Sequence, residues 1–474
     1  MRRSIILALL LVTSSLSAFA QAPADSILAR GLVFRGIGPA LMGGRITEIA
    51  VAERGRLGTV IYIAAATGGL WRSTNAGVSW TSLFDSVRAP SIGAVAVAPS
   101  NADVIWVGTG EPQNMRSSSW GNGVYKSIDG GRTWSAPMLP KSQHIGRIVI
   151  DPRDPNVVYV AAVGPLWAPG GERGLFKTSD GGNTWTNTKA ISQYTGFTEV
   201  MMDPLNPDVL YAASYQRERR AYSFLPAGTE TAIWKTTDGA KTWTKLTSGL
   251  PTGELGRIGL SVCRSRPNTV YAIIHARGNT GGTFRTDDAG ATWRQTNNVN
   301  STAWFYGQIR CDPTDPDHVI RLAPSSQQSW DGGRTYVGFA AAGTHSDHHA
   351  LWINPESPEQ QILGTDGGLY LSWDRGQTWD HVESIPLAQF YAISVDDAHP
   401  YYSVYGGLQD NAAWGAPNQT RTTFGTSNAD WSRFVGGDGL FGIVPGNEGP
   451  FGSVKSADLA DERERPLVII QRFK

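Results

Sequence analysis

The chain has 474 residues, with 41 basic and 41 acidic side chains, so its formal charge is balanced. A balanced charge excludes a polyanionic partner such as nucleic acid from the expected ligands. Glycine (55) and tryptophan (17) are frequent, whereas charged residues make up only 17%. Many tight turns together with many large flat side chains favour an all-β protein.

The first twenty residues, "MRRSIILALLLVTSSLSAFA", have the three-part layout of a secretory signal peptide. Arg2 and Arg3 precede an apolar run, and small residues lead to a cleavage point after Ala20. The run is too short to anchor the chain in a bilayer, and no later stretch is long and apolar enough to span one. The sequence therefore predicts a signal peptide at 1–20, a linker at 21–33, and export to the periplasm or the medium.

Seven copies of an eight-residue segment such as "SIDGGRTW" recur at spacings of 54, 51, 58, 50, 43 and 43 residues. Periods of this size indicate a propeller or a solenoid. The copies begin at Ser73, Ser127, Thr178, Thr236, Thr286, Ser329 and Ser372.

Each period contains four short strand patterns. In the third they are "IGRIVI", "VVYVAAV", "GLFKTS" and "TWTNT". A solenoid does not need a hairpin inside each period, whereas one four-stranded antiparallel sheet per repeat is the pattern of a β-propeller. We expect the repeated segment to join the third and fourth strands, with its Ser/Thr and Asp accepting amide hydrogen bonds. Its fifth residue should adopt positive φ, and its Trp should pack between sheets.

"S-x-D-x-G-x-T-W" resembles the Asp box, or bacterial neuraminidase repeat, of sialidases, sortilin-type ectodomains and two-propeller xyloglucanases. The resemblance runs from about residue 34 to residue 379. It implies a β-propeller, but its relatives differ in function. Stretches such as "FRGIGPALMGGRI", "DHHALWINP" and "GLQDNAAW" are similar to exported bacterial repeat proteins described as sortilin-like or glycosyl hydrolase-like.

These patterns divide the chain into seven Asp-box blades at 34–389, an atypical eighth blade and the start of a ninth at 390–450, and a tail at 451–474. The eighth unit has strands but no Asp box, and the tail has no repeat character. The chain is either a short complete protein whose ring closes at seven or eight blades, or a truncated form of a longer one. Oligomeric state is left open.

Cys263 and Cys311 are the two cysteines of the chain. An oxidising compartment allows a disulfide. Equivalent positions in neighbouring repeats are usually too far apart for one, so unpaired thiols are favoured and the pairing is left open.

Loops between second and third strands usually carry the binding face of a propeller, and here three of them are long. They contain rigid aromatic rings and guanidinium groups suited to recognition, although long loops are also tolerated as surface decoration. The predicted ligand-binding residues are Arg116, Trp120, Trp167, Arg173, Arg217, Arg219 and Tyr222.

Three acidic residues, Glu111, Asp366 and Asp410, follow predicted second strands and should meet on one face near the central channel. Paired carboxylates at that place are the catalytic groups of glycosidases. Two-propeller xyloglucanases carry a first-blade acid in "T-D-x-G-G", where this chain has Ala66. The sialidase resemblance is limited to Arg35 in "FRGIGP". The alternative role of the three acids is to cap turns.

The segment "THSDHHALW" places His345, Asp347 and His349 on one side of a predicted strand, which is a candidate metal site. The alternative is a hydrogen-bonded polar cluster. The sequence contains no phosphate-binding glycine loop, "CxxC" pair, Gly-x-Ser-x-Gly turn or "DxDxDG" loop, so no cofactor is expected.

These observations leave three hypotheses. The first is an exported, non-catalytic propeller that binds a peptide, protein or glycan on its loop face. The second is a glycoside hydrolase that uses paired carboxylates. The third is an inactive fragment, whose unpaired strand edge should promote aggregation.

Overall fold

The computed structural model describes residues 36–38, 41–53, 59–299, 304–340 and 343–439. These residues form antiparallel β-sheets without an α-helix, and their short 3₁₀ turns lie at Gly278–Thr280 and Asn428–Asp430. Within this part of the chain no helix has the length and apolar character needed to cross a membrane. The predicted signal peptide, linker and tail, Arg35, and most of the predicted ninth unit lie outside the described residues.

Eight successive sheets follow the described part of the chain, seven of them in the Asp-box repeats and the eighth in the atypical unit. The first sheet consists of β1 Ile46–Glu53, β2 Thr59–Ala65, β3 Leu70–Ser73 and β4 Thr81–Ser82, and the second of β5 Ile92–Ala98, β6 Asn101–Thr109 and β7 Val124–Ser127. The third consists of β8 Ile145–Ile150, β9 Val158–Ala162, β10 Gly174–Thr178 and β11 Thr186–Lys189. The fourth consists of β12 Thr195–Met202, β13 Leu210–Gln216, β16 Ala232–Thr236 and β17 Thr244–Leu246. The second sheet has three strands, and a separate hairpin of β14 Glu218–Arg220 and β15 Ser223–Leu225 projects from the fourth.

The fifth sheet consists of β18 Leu255–Val262, β19 Val270–Ala276, β20 Gly282–Thr286 and β21 Arg294–Asn297, and the sixth of β22 Ile309–Cys311, β23 Val319–Arg321, β24 Gln327–Ser329 and β25 Val337–Gly338. The seventh consists of β26 His348–Ile353, β27 Gln361–Thr365, β28 Gly368–Ser372 and β29 Asp380–His381. The eighth consists of β30 Phe390–Val395, β31 Ser403–Leu408, β32 Ala413–Pro417 and β33 Ser432–Val435. In each sheet, neighbours in sequence are paired antiparallel.

The first strands of successive sheets converge. From β1 through β5, β8, β12 and β18 to β22, each first strand contacts the next, and β26 contacts β1. The contact between the seventh and first sheets is an apolar core that includes Ile46, Ile63, Ile362, Leu369 and Leu387. This contact is the one that a closed ring of these sheets requires, while the number of blades in the ring stays a prediction.

The Asp box is a turn locked by its own side chains, as expected. In the third copy the Thr178 hydroxyl donates to Asp180 Oδ1 (2.8 Å) and accepts the Gly182 amide (2.9 Å). Asp180 also accepts the amide and the hydroxyl of Thr184, at 2.9 and 2.6 Å. The fifth residue has positive φ in all seven copies, including Ala240 at 69°, so the prediction of a left-handed backbone there is confirmed.

The box tryptophans pack on the preceding sheet. Trp134 meets Phe84 edge-on with ring centroids 4.9 Å apart, and Trp185 meets Trp106 at 5.8 Å. Phe84 follows β4 of the first sheet and Trp106 lies on β6 of the second, so each comes from the repeat before that of its partner. The box therefore fixes both a turn and a contact between sheets, as the sequence predicted.

The cysteine prediction was wrong, because Cys263 and Cys311 form a disulfide with Cα atoms 5.4 Å apart. Cys311 is the last residue of β22 and Cys263 directly follows β18. Both strands are first strands, which converge, and the Cys311 amide bonds to Ser261 Oγ across the gap at 2.9 Å. Equivalent positions are distant at the periphery of such sheets but close on their innermost strands.

Candidate active site

Arg45 lies at the centre of the predicted acidic residues. Its guanidinium binds Asp366 with two hydrogen bonds (2.7 and 2.9 Å) and Glu111 with a third (3.1 Å). All three side chains are buried, with 1% or less exposed. Asp366 directly follows β27 and Glu111 follows β6 by two residues, so Arg45 joins the ends of two second strands.

Asp410 belongs to the same cluster, together with Asp347. One carboxylate oxygen from each of Asp347, Asp366 and Asp410 lies within 4.8 Å of the other two. Asp347 and Asp410 are partly buried, whereas Asp366 is fully buried. We call these three residues the carboxyl cluster.

Aromatic and amide side chains hold the cluster in place. The Tyr306 hydroxyl donates to Asp347 Oδ1, and the Tyr306 ring stacks on His349 with centroids 5.3 Å apart. His349 Nε2 lies 2.8 Å from Asp366 Oδ1. On the opposite side Gln409 Nε2 donates to Asp366 Oδ2 at 3.0 Å and to Asp410 Oδ2. Asp366 therefore has both oxygens engaged by neighbours.

The three carboxyl groups differ in acidity. Burial works to raise the pKa of Asp366, but the charges of Arg45 and His349 outweigh it and hold that pKa well below its usual range. Burial and the charge of Asp366 raise the pKa of Asp347 to about 6. Burial and the charges of Asp366 and Asp438 raise the pKa of Asp410 to about 7. Below about pH 7 the cluster thus combines an ionised Asp366 with a mostly protonated Asp410.

An open pocket of about 480 Å³ lies between the first, second and eighth repeats, and the three carboxyl groups are not part of its lining. Its walls come from the first sheet (Thr67, Gly68), the second-repeat loop (Ser117, Ser119) and the eighth sheet (Phe390, Tyr391). The Ser119 amide bonds to Glu111 Oε1 at 2.9 Å. Burial raises the pKa of Tyr391, and the charges of Asp438 and Asp410 raise it further, so Tyr391 is the lining residue that lies near Asp410.

The predicted metal ligands His345, Asp347 and His349 lie in or beside the carboxyl cluster, but they do not share one face of a strand. β26 begins at His348, so His345 and Asp347 precede the strand, and the expectation that one strand aligns all three is wrong. Asp347 has φ 67°, a local reversal that redirects its side chain. His345 Nε2 lies 3.2 Å from the Asp410 carbonyl, whereas His349 lies beside Asp366.

Three of the predicted ligand-binding arginines are occupied inside the protein, which corrects the expectation that they face a ligand. Arg217 donates to the carbonyls of Pro112 and Gln113, at 2.8 and 3.0 Å. Arg219 donates to the Asn114 carbonyl at 2.7 Å and lies over the Phe224 ring. They join the second-repeat loop to the fourth because buried carbonyl groups need donors.

Arg173 binds carbonyls of its own loop, among them Val163 at 2.8 Å. Arg116, Trp120, Trp167 and Tyr222 remain exposed, the aromatic rings by 69%, 45% and 82% respectively. These four residues are the part of the predicted set that is available to a ligand.

Sequence reasoning missed Arg45, Tyr306 and Gln409. Arg45 stands in "MGGRI" and Gln409 directly precedes Asp410, so both lie in stretches that the resemblance had singled out. Nothing local distinguishes Tyr306, which reaches Asp347 from 41 residues away.

The fold and the repeats agree with comparisons to known proteins. The family model of sortilin, neurotensin receptor 3, matches residues 122–279. The GH74 xyloglucanase from Xanthomonas campestris superposes with a TM-score of 0.58 at 16% identity, over 88% of this chain and 70% of that one. The described sheets therefore have the β-propeller fold, with Asp-box turns.

Curated relatives of this propeller include a xyloglucanase of Paenibacillus sp., 24% identical over 313 residues, covering 59% of this chain and 30% of the relative. A xyloglucanase of Hypocrea jecorina is 26% identical over 287 residues, covering 52% and 32%. The chain thus spans about a third of the length of these relatives. Both relatives are named as glycoside hydrolases, and neither supports the non-catalytic binding role that the sequence analysis placed first.

Proposed function

We propose that this propeller is a glycoside hydrolase whose proton donor is Asp410 and whose substrate is a glucan of the xyloglucan type. The observation that carries the proposal is the carboxyl cluster itself, in which burial and neighbouring charges raise the pKa of Asp410 to about 7 while Arg45 holds the pKa of Asp366 well below its usual range. Groups of opposite protonation state at one site are the requirement for acid-assisted glycoside cleavage. The names of the relatives supply the substrate class.

In the proposed reaction the Asp410 carboxyl group transfers its proton to the glycosidic oxygen as the bond from that oxygen to the anomeric carbon breaks. The positive charge that develops on the sugar ring is stabilised by the Asp347 carboxylate, which Tyr306 orients. Water then adds to the anomeric carbon, and its proton returns to Asp410. One bond is hydrolysed and the site regains its starting protonation state.

Asp366 has a positioning role in this proposal rather than a catalytic one. Arg45 and Gln409 engage its oxygens, and no part of the side chain is exposed. Its fixed charge keeps Asp410 protonated at a pH where a free aspartate is ionised. Glu111 binds the other side of Arg45 and supports the same arrangement.

The experiment measures reducing ends released from xyloglucan, mixed β-glucans and sialosides by residues 21–474. We expect turnover of a β-glucan, reduced about 100-fold or more in Asp410→Asn, because a positioned general acid contributes about 10²–10⁴ in rate. Asp397→Asn is the matched control, since Asp397 is an exposed carboxylate that follows β30 in the same sheet. No turnover of any substrate, or full activity in Asp410→Asn, would refute the proposal.

A further inference from the structure

A second group of charged side chains lies on the converging first strands, and the proposed reaction does not use it. Its members are Glu48 on β1, Arg147 on β8, Glu199 on β12, Arg257 on β18 and Arg310 on β22. Because these strands contact one another in succession, the five residues line the centre of the sheet arrangement. Three of them are cations and two are anions.

Both anions are taken by a single arginine. Arg147 forms ion pairs with Glu48 and with Glu199, the latter at 3.1 Å. Arg310 has neutral partners instead, Gln308 Oε1 at 2.7 Å and the Ile309 carbonyl at 3.0 Å. Both carboxylates of the group are therefore paired with Arg147, and neither is paired with Arg257.

Arg257 differs from Arg147 and Arg310 in that the described residues give it neither an ion pair nor a hydrogen bond at Nε. Its side chain is 3% exposed, and Nε has no hydrogen-bond partner. Within the part of the chain that the structure describes, no carboxylate lies within ion-pair distance of its guanidinium. A buried charge without a partner is costly, and proteins normally pair or coordinate such groups.

The neighbouring charges do not offset the free-energy cost of burying the Arg257 guanidinium. Burial lowers the pKa of Arg257, and the charges of Glu199 and Glu48 oppose the effect only in part. The positive charge of Arg147 lowers the pKa of Arg257 further. The charge of Arg257 in turn lowers the pKa values of Arg217 and His349. Since arginine stays protonated in proteins, the surroundings of its guanidinium carry an excess of positive charge.

Gly307, which lies just before β22, leaves room for the Arg257 side chain. A Cβ at residue 307 would meet Arg257 Cδ at 3.0 Å and Nε at 3.2 Å. Glycine at 307 thus lets the arginine lie flat against the chain just before β22. The arginine is held by packing rather than by hydrogen bonds, which leaves its donors for another partner.

We propose that Arg257 binds a small inorganic anion, such as a halide or phosphate, at the centre of the propeller. A guanidinium group offers a rigid fork of N–H donors that suits such an anion. An anion there balances the three arginines against the two glutamates. The site is distinct from the carboxyl cluster and does not depend on the proposed hydrolysis.

Bromide is the direct probe, because its anomalous scattering distinguishes it from water. Crystals of the mature protein grown or soaked with bromide should show an anomalous peak within hydrogen-bond distance of an Arg257 Nη atom. The same peak should be missing in Arg257→Leu, a substitution of a buried charge that proteins often tolerate. Water at this place in the wild type, or a peak that persists in Arg257→Leu, would overturn the proposal.

A solution measurement keeps the test decisive if a variant does not crystallise. Replacing gluconate by bromide or phosphate at constant ionic strength should raise the wild-type Tm by about 1–3 °C, since a ligand bound only by the folded state stabilises it. Arg88→Leu removes an exposed arginine and should keep the full shift. Arg257→Leu and Arg257→Lys should lose most of it, and equal shifts in all four proteins would contradict the assignment.

Discussion

Replacing Arg45 by Met is expected to destabilise the fold by about 3–5 kcal/mol at pH 7.5, the usual cost of removing one partner of a buried ion pair. Arg45 holds two fully buried carboxylates at 2.7 and 3.1 Å. Each attraction corresponds to about 4 kcal/mol for charges roughly 4 Å apart at an effective dielectric constant of about 20. Desolvation of the arginine offsets several kcal/mol of that sum.

The stability lost in Arg45→Met should depend on pH, and the direction of this dependence follows from the ion pair between Arg45 and Asp366. In the wild type the depressed pKa of Asp366 contributes stability above its unfolded value of about 3.9, and that contribution is lost as pH falls. Without Arg45, burial raises the Asp366 pKa, so its contribution is present at acid pH and lost as pH rises. The difference between the two proteins therefore grows from pH 4 to pH 8.

Urea unfolding followed by tryptophan fluorescence at pH 5.0 and pH 7.5 measures this difference. Arg264→Met is the control, because its pair with Glu356 is largely exposed and such pairs contribute about 0–1 kcal/mol. Adding Asp366→Asn and Glu111→Gln to Arg45→Met should restore much of the lost stability. A deficit that is equal at both pH values would refute the reasoning.

Three further predictions concern the scaffold. Asp180→Ala removes the hydrogen bonds that close the third Asp box and should lower the urea midpoint, whereas the neighbouring exposed Asn183→Ala should leave it almost unchanged. Reduction of the disulfide, or Cys263→Ser with Cys311→Ser, should cost about 2–4 kcal/mol, because the bridge spans 48 residues; an unchanged midpoint under reducing conditions would contradict this. Arg217→Met should speed limited proteolysis at residues 112–119 and 164–171, whose carbonyls it holds, and an unaltered cleavage pattern would argue against the joining role.

The sequence was sufficient for the features that depend on local chemistry. Each Asp box closes through bonds between residues two to four positions apart, so its recurrence predicts both the turn and the sheet that follows. The third repeat shows this, since "IGRIVI" is β8 in full. The meeting of Glu111 and Asp366 could also be predicted, because both follow second strands of repeated sheets.

Contacts that join distant segments were beyond sequence reasoning. Arg45 and Asp366 are 321 residues apart, and only the packing of the first sheet on the seventh brings them together. The disulfide was missed for a similar reason, since its feasibility depends on how near the axis the two residues lie. Arg217 and Arg219 were expected at the surface because an isolated loop gives no sign that another loop's carbonyls will take its donors.

The pH dependence of β-glucan hydrolysis tests the central claim most directly. With Asp410 as the acid, its pKa of about 7 requires the rate to fall as pH rises through that value, and the pKa of Asp347, about 6, sets the fall on the acid side. The account predicts a maximum between these limits, with the upper limb shifted to lower pH in Asp438→Asn because one neighbouring negative charge is removed. A rate that stays constant from pH 6 to pH 9 would contradict it.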